Sequence, residues 1–231
     1  MFKQKKIMAV LVVSALLVMA VFTVVFASSS KDVVSTTSSG ALSNGASYNV
    51  SVSGDARYVV FQSDATNLVP FDTNNVSDIF LKDRTTGTTS RISTSSTQAQ
   101  SNATSFRPAI SYDGRFVVFA SDATNLVLND TNSGRDIFLK NLTTGATTRV
   151  STDSSGNQAI ATGPISNGLS DQPKVSGDGN YVVFGSDANN LVANDTNSLE
   201  DIFFKNTQTG AITRVSTSST GSQTTGEGGY I

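Results

Sequence analysis

The sequence predicts an all-β protein built from one strand-rich unit written three times. Asp55 to Thr94, Asp113 to Thr152 and Asp178 to Thr217 align without a gap, and Phe61, Phe119 and Phe184 stand 58 and 65 residues apart. Repetition of this kind marks a repeat architecture. Each copy carries short aromatic and β-branched runs divided by polar turns, which is the pattern of strands. No helical periodicity follows residue 27.

Residues 1–27 are the exception. Lys3, Lys5 and Lys6 precede an uncharged apolar run of 20 residues, Ile7 to Phe26, and Ala27 then leads into Ser28-Ser29-Ser30. A charged start, an apolar run and a small residue at the cut make a secretory signal. The run is also long enough to cross a bilayer core of ~30 Å as a helix. A hydrophobic helix is expected here, as a cleaved signal peptide or as a membrane anchor. No cysteine follows it, so a lipoprotein anchor is excluded.

Residues 28–47 are rich in Ser and Thr and read as a tether. Within it, residues 32–36 match Ser90 to Thr94, 58 positions later, and are expected to form an orphan copy of an outer strand.

Residues 48–231 hold the repeats, with units at about 48–95, 106–153 and 171–218. In the second unit, Pro108 to Ser111 starts an extended segment, and Tyr112-Asp113-Gly114-Arg115 makes a tight turn. Phe116 to Ala120 is apolar at every position and reads as a central strand. A polar stretch leads to a third strand, Asp136 to Lys140. Asn141 to Gly145 turns, and Ala146 to Thr152 alternates as an outer strand. The first unit departs at Ala56, where the others have Gly114 and Gly179, so its turn is expected to differ in type.

Four antiparallel strands per repeat of this length make a β-propeller blade. The motif S-x-D-G-R-[YF]-V-V-F followed by D-I-F-L-K-[DN]-x-x-T-G resembles the TolB-like, WD-like β-propeller repeats of bacterial exported proteins. The resemblance covers Tyr48 to about Thr217. It implies a blade fold, but it is poorly specific for function, because such propellers serve as binding platforms, periplasmic partners and appendages of enzymes. Three blades make an incomplete propeller, since complete ones have about 4–8. The orphan outer strand and the end at Ile231 suggest the N-terminal part of a longer protein. Self-association of two three-blade halves is the alternative.

Composition limits the chemistry. Histidine and cysteine are absent, which removes a Ser-His-Asp triad, a thiol nucleophile and thiolate metal sites. The 16 basic and 18 acidic residues give −2, and no basic stripe is present to track nucleic acid.

The strongest chemical candidate is an acidic loop met three times: Asp72, Asn74 and Asp78; Asp130, Asn132 and Asp136; Asp195, Asn197 and Asp201. Oxygen ligands at alternate positions are suited to calcium. The spacing is not that of an EF-hand loop, and Asp and Asn also cap turns without a metal. Arg91, Arg149 and Arg214, on the outer strands, are expected to pair with acids of a neighbouring blade or to lie in solvent.

The sequence therefore points to an exported or membrane-tethered, non-catalytic scaffold binding a protein or an envelope glycan. The alternative is the propeller portion of a larger enzyme, such as a peptidase whose catalytic domain lies beyond residue 231.

Overall fold

The computed structural model describes residues 32–160, 169–197 and 199–223. The expected signal or anchor segment lies outside them, as do residues 161–168, in the connection that makes the second spacing 65 residues where the first is 58. The described residues from Val34 onward form one compact unit. Its described part contains no helix.

Twelve strands form three four-stranded antiparallel sheets. The first contains β1 (Ser47–Val52), β2 (Tyr58–Ser63), β3 (Asp78–Asp83) and β4 (Thr89–Arg91), in that order. The second contains β5 (Ser105–Ile110), β6 (Phe116–Ser121), β7 (Asp136–Asn141) and β8 (Thr147–Arg149). The third contains β9 (Ser170–Val175), β10 (Tyr181–Ser186), β11 (Asp201–Asn206) and β12 (Ile212–Arg214). Each is an up-and-down meander, as in a propeller blade. The first strands β1, β5 and β9 neighbour one another, so they form the inner edge of the stack.

The period of two along each central strand explains the stacking. One face of blade 1 presents Val60, Ile79, Leu81 and Ile92, which pack against Ile110, Val117, Phe119 and Phe138 of blade 2. The opposite face of blade 2 repeats the pattern. Val118, Ile137, Leu139 and Val150 meet Val182, Phe184, Phe203 and Ile212 of blade 3. Within each blade a Phe pair sits in register across the central strands: Phe61 on Phe80, Phe119 on Phe138 and Phe184 on Phe203, with centroids 6.0, 5.9 and 5.8 Å apart.

The turn after the inner strand differs from expectation. Ala56 has φ +57°, the same left-handed conformation as Gly114 at +72° and Gly179 at +78°. The turn is therefore the same in all three blades. What differs is the neighbour. A Cβ on Gly179 would overlap the Phe116 ring of blade 2, and one on Gly114 would stand 2.9 Å from the Tyr58 ring of blade 1. Each glycine makes room for an aromatic ring of the preceding blade, whereas blade 1 is the first of the three.

Every blade is followed by a tight strap closed by one bridge. Thr94 pairs with Gln100, Thr152 with Gln158, and Thr217 with Gln223. A fourth copy precedes blade 1, with Thr36 bridged to Leu42. Thus the segment expected to be a tether with an outer strand is, over residues 36–44, a strap fastened to blade 1. The three straps that precede a blade each hold that blade. Lys82 Nζ donates to the carbonyls of Thr36 and Thr37 at 3.4 and 3.0 Å. Lys140 does so to Thr94 and Ser95 at 3.2 and 3.1 Å, and Lys205 to Thr152 and Asp153 at 2.7 and 2.9 Å.

Candidate functional site

Where three units are this alike, the positions at which they disagree are the candidates for a specific task. Four sets of equivalent positions fall together at one end of the inner strands: Tyr48, Phe106 and Asp171; Asn49, Arg107 and Gln172; Gln62, Ala120 and Gly185; Ser77, Arg135 and Glu200. Each blade also carries a constant acid near these positions: Asp64, Asp122 or Asp187.

The backbone sets this end apart. Each inner strand is interrupted by a bulge against its neighbour, as the register shifts after Tyr48, after Phe106 and opposite Val183 show. The bulged residues Asn49, Arg107 and Gln172 have φ of +52°, +46° and +54°. Asn tolerates this region, but Arg and Gln occupy it at a cost of order 1 kcal/mol or more. Bulges re-aim side chains, often at functional positions.

The side chains join into one polar network across the three blades. In blade 1, the Tyr48 hydroxyl and the Ser77 hydroxyl donate to Asp64 Oδ1 at 2.9 and 2.7 Å. Gln62 Nε2 donates to Ser77 at 3.0 Å, and its Oε1 accepts from Asn49 at 2.8 Å and from the Arg107 backbone N–H at 3.3 Å. Arg107 then reaches Asp171 of blade 3 at 2.9 Å, as does Arg135 at 3.1 Å. Arg135 also pairs with Asp122 at 2.8 Å and lies over the Phe106 ring, 3.9 Å from its centroid. Gly185 has no Cβ because the Glu200 carboxylate occupies that space.

The electrostatics follow from these contacts. Burial pulls the Arg135 pKa down, and Asp122 with Asp171 more than restores it, so the guanidinium stays charged. For Tyr48, the Ser77 hydroxyl lowers the pKa, while burial and the Asp64 carboxylate outweigh it and leave it raised. Two arginines, Arg107 and Arg135, pair here with Asp122 and Asp171, and Asp64 and Glu200 add carboxylates to the same network of blades. The arrangement offers directed donors and acceptors, an aromatic face and mixed charge. That suits recognition of a polar ligand.

The acidic loops lie elsewhere, between the second and third strands of each blade, and they hold an arginine. Arg91 Nη1 contacts Asp72 at 3.0 Å and Asp78 at 3.2 Å. Arg149 contacts Asp130 and Asp136 at 3.1 and 3.0 Å, and Arg214 contacts Asp195 and Asp201 at 3.3 Å each. The arginines thus pair with acids of their own blade, a correction to the expected neighbouring blade or solvent. The other oxygen of Asp78 accepts from the hydroxyls of Ser93 and Ser101. Asn74 and Asn132 turn their NH₂ groups to Asp78 and Asp136, while the Asn197 oxygen accepts from the Leu199 N–H.

This donor set does not fit calcium, which needs six to eight converging oxygens. A guanidinium stands where the ion would sit. Among the described residues no three of His, Cys, Asp or Glu cluster to hold a metal. Burial raises the pKa of Asp72, Asp130, Asp195 and Asp136, against the pull of the paired arginine. Two grooves of about 360 and 340 Å³ flank the straps of blades 2 and 1. They recur at equivalent places and belong to the frame.

Sequence reasoning singled out none of Tyr48, Asn49, Arg107, Arg135, Asp171, Gln172 or Glu200 as site residues. The signal was present as disagreement between repeats rather than as a motif.

No protein-family model matches the sequence, and no curated protein matches it. Among solved structures, the chain is similar to TolB from Acinetobacter baumannii, with 20% identity and a TM-score of 0.45 over 76% of this chain and 33% of that one. It is similar to a putative TolB from Agrobacterium tumefaciens, with 17% identity and a TM-score of 0.45 over 73% and 48%. It is also similar to the β-propeller domain of the Trilobed protease from Pyrococcus furiosus, with 10% identity and a TM-score of 0.43 over 73% and 41%. The chain spans a third to a half of the length of these structures.

Proposed function

We propose that this chain is a non-catalytic binding scaffold whose polar inner-strand end takes a protein or an envelope glycan. Residues 1–27 export it or hold it on the outer side of the cytoplasmic membrane. The observation that carries the reading is the divergence of Tyr48, Asn49, Arg107, Arg135, Asp171 and Glu200 inside an otherwise repeated frame. Folding alone gives three similar blades no reason to differ there, and the left-handed bulge residues Asn49, Arg107 and Gln172 add a cost that binding would offset.

The test is photo-crosslinking in bacteria that export the chain. A photoreactive residue replaces Asn49 or Gln172 in one set, and Ser90 or Thr213 on the outer strands in another. A discrete adduct from the first set alone is expected. Equal adducts from both sets, or adducts only from the outer strands, would remove the inner end as the binding surface.

A further inference from the structure

The other end of the inner strands, where each turns into the second strand of its blade, carries a divergence of its own. Tyr112 stands where blades 1 and 3 have Gly54 and Gly177. Neither glycine has the left-handed backbone that favours this residue. What each does is leave room for the tyrosine. A Cβ on Gly54 would overlap the Tyr112 ring, and one on Gly177 would stand 3.2 Å from Tyr112 Cβ. The three turns are also bonded to one another here. The Gly54 N–H donates to the Tyr112 carbonyl at 2.8 Å, and the Asp113 N–H donates to the Gly177 carbonyl at 3.1 Å. One ring is thus laid on the backbone of blade 1, while its own turn is tied to blades 1 and 3. Tyr112 is nonetheless 74% exposed. Single exposed apolar side chains are ordinary, but this one has a seat cleared for it by two neighbouring blades.

The acid beside that seat is different too. In blade 2 the Arg115 Nε donates to Asp113 Oδ2 at 2.7 Å, and in blade 3 the Asn180 amide donates to Asp178 Oδ2 at 2.6 Å. In blade 1 the equivalent acid is Asp55, the residue after Gly54. Among the described residues it accepts only through Oδ1, from the Ser53 hydroxyl at 2.6 Å and the Arg57 N–H at 3.0 Å. The Arg57 guanidinium is drawn away to Asp83, at 3.2 and 2.8 Å. Blades 2 and 3 have Asn141 and Asn206 in place of Asp83. Asp55 is exposed, so its Oδ2 is left as an open acceptor next to the residue on which the Tyr112 ring rests.

We infer that Tyr112 is a stacking platform for one pyranose ring of a saccharide, with Asp55 Oδ2 accepting from a hydroxyl of that ring. A pyranose has a face of weakly positive C–H groups, which suits the negative face of an aromatic ring. Its edge carries hydroxyls, which both donate and accept. The turns supply both counterparts, an open acceptor in Asp55 and a donor in the half-exposed Arg115. A cationic ligand would meet Arg115 as a like charge. A protein partner would be expected to find further contacts ringing the aromatic anchor, and the turns offer Gly, Ser and Asp instead. The platform lies at the opposite end of the inner strands from the Tyr48–Glu200 network, and it does not rest on the ligand proposed there.

The test labels the full chain with 3-fluorotyrosine and titrates it with chitotetraose, read by fluorine NMR, the Tyr112 signal being assigned through Tyr112→Phe. A saturable shift of that signal is expected, with a Kd of about 1–10 mM. Gly54→Ala, which pushes the ring off its seat, should weaken binding roughly tenfold as read at Tyr112. Asp55→Asn should weaken it about threefold, because the accepting oxygen loses its charge. Unmoved Tyr58 and Tyr181 signals in the unliganded variants check that the blades remain folded. A Tyr112 signal that does not move would overturn the proposal, as would a Kd unchanged in both variants. A shift at Tyr48 without one at Tyr112 would place the saccharide at the inner-strand end and remove this site. Tetramethylammonium moving the Tyr112 signal at lower concentration than the saccharide would replace the pyranose by a cation.

Discussion

Glycine should be favoured over alanine at three equivalent positions, and the sizes follow from what lies over each turn. Ala56, Gly114 and Gly179 all have left-handed backbone. An L-residue there costs about 1–2 kcal/mol, and glycine loses about 0.4–1 kcal/mol of that advantage through the freedom of its unfolded chain. Ala56→Gly is therefore expected to stabilise the protein by about 0.5 kcal/mol. Gly114→Ala reverses this and adds a Cβ 2.9 Å from the Tyr58 ring, for a loss of about 1 kcal/mol. Gly179→Ala drives a Cβ into the Phe116 ring, which is itself packed against the core between blades 2 and 3. Overpacking adds about 1–3 kcal/mol, for a total near 2–4. Urea unfolding of the three variants gives the order directly, and the melting temperature of Gly179→Ala should fall by about 5–10 °C. If Gly179→Ala unfolds like the parent, Phe116 does not lie over that turn, and the stacking of blade 3 on blade 2 is wrong.

Other predictions concern charge. Arg149→Ala leaves Asp130 and Asp136 buried without their cation and should cost about 3–5 kcal/mol by urea melt; Arg149→Lys should recover only part, because a point charge replaces the fork. Calcium at millimolar concentration, or a chelator, should leave the melting temperature within about a degree, since a site filled to 100 Kd would add ~2.7 kcal/mol. Burial pushes Lys140 down to about 8, and Lys82 and Lys205 in the same direction. The unfolded chain then binds more protons between that value and the ordinary lysine value near 10.5, so stability should rise with pH across this window. Below pH 8 the burial penalty is fully present, above 10.5 it is gone, and Lys140→Met should flatten the slope. Asp171→Ala frees Arg107 and Arg135 from their shared partner; it should change stability by about 1 kcal/mol or less, the pairs being part-exposed, and yet abolish the crosslinks from Asn49 and Gln172.

The strands visible in the sequence are those whose packing is symmetrical. Val59-Val60-Phe61 and Asp78-Ile79-Phe80 announce central strands because both of their faces are covered. The inner strand was harder to read. Ser105 to Ile110 contains Pro108 and a bulge, and a bulge breaks the alternation by which a strand is recognised. The outer strand is shorter than Ala146 to Thr152 suggests, because the chain turns into the strap after Arg149. The straps themselves are polar and hold by backbone carbonyls, which no side-chain pattern reports. Arg91, Arg149 and Arg214 were expected to reach a neighbouring blade or solvent for a related reason: their partners lie 13 and 19 residues away across a loop of their own blade. The inner-end cluster escaped notice because it consists of differences. Asp171 and Arg135 are 36 residues apart and acquire meaning only when β9 is laid beside β5.

Hydrogen exchange on the full chain, with and without solubilised peptidoglycan fragments and with and without the partner captured at Asn49, tests the binding surface most directly. Protection is predicted in peptides carrying Tyr48, Asn49, Arg107, Arg135, Gln172 and Glu200, with the three outer strands unchanged. Protection distributed equally over the three equivalent outer strands or straps would contradict it, because the ligand would then be reading the repeated frame instead of the positions at which the blades differ.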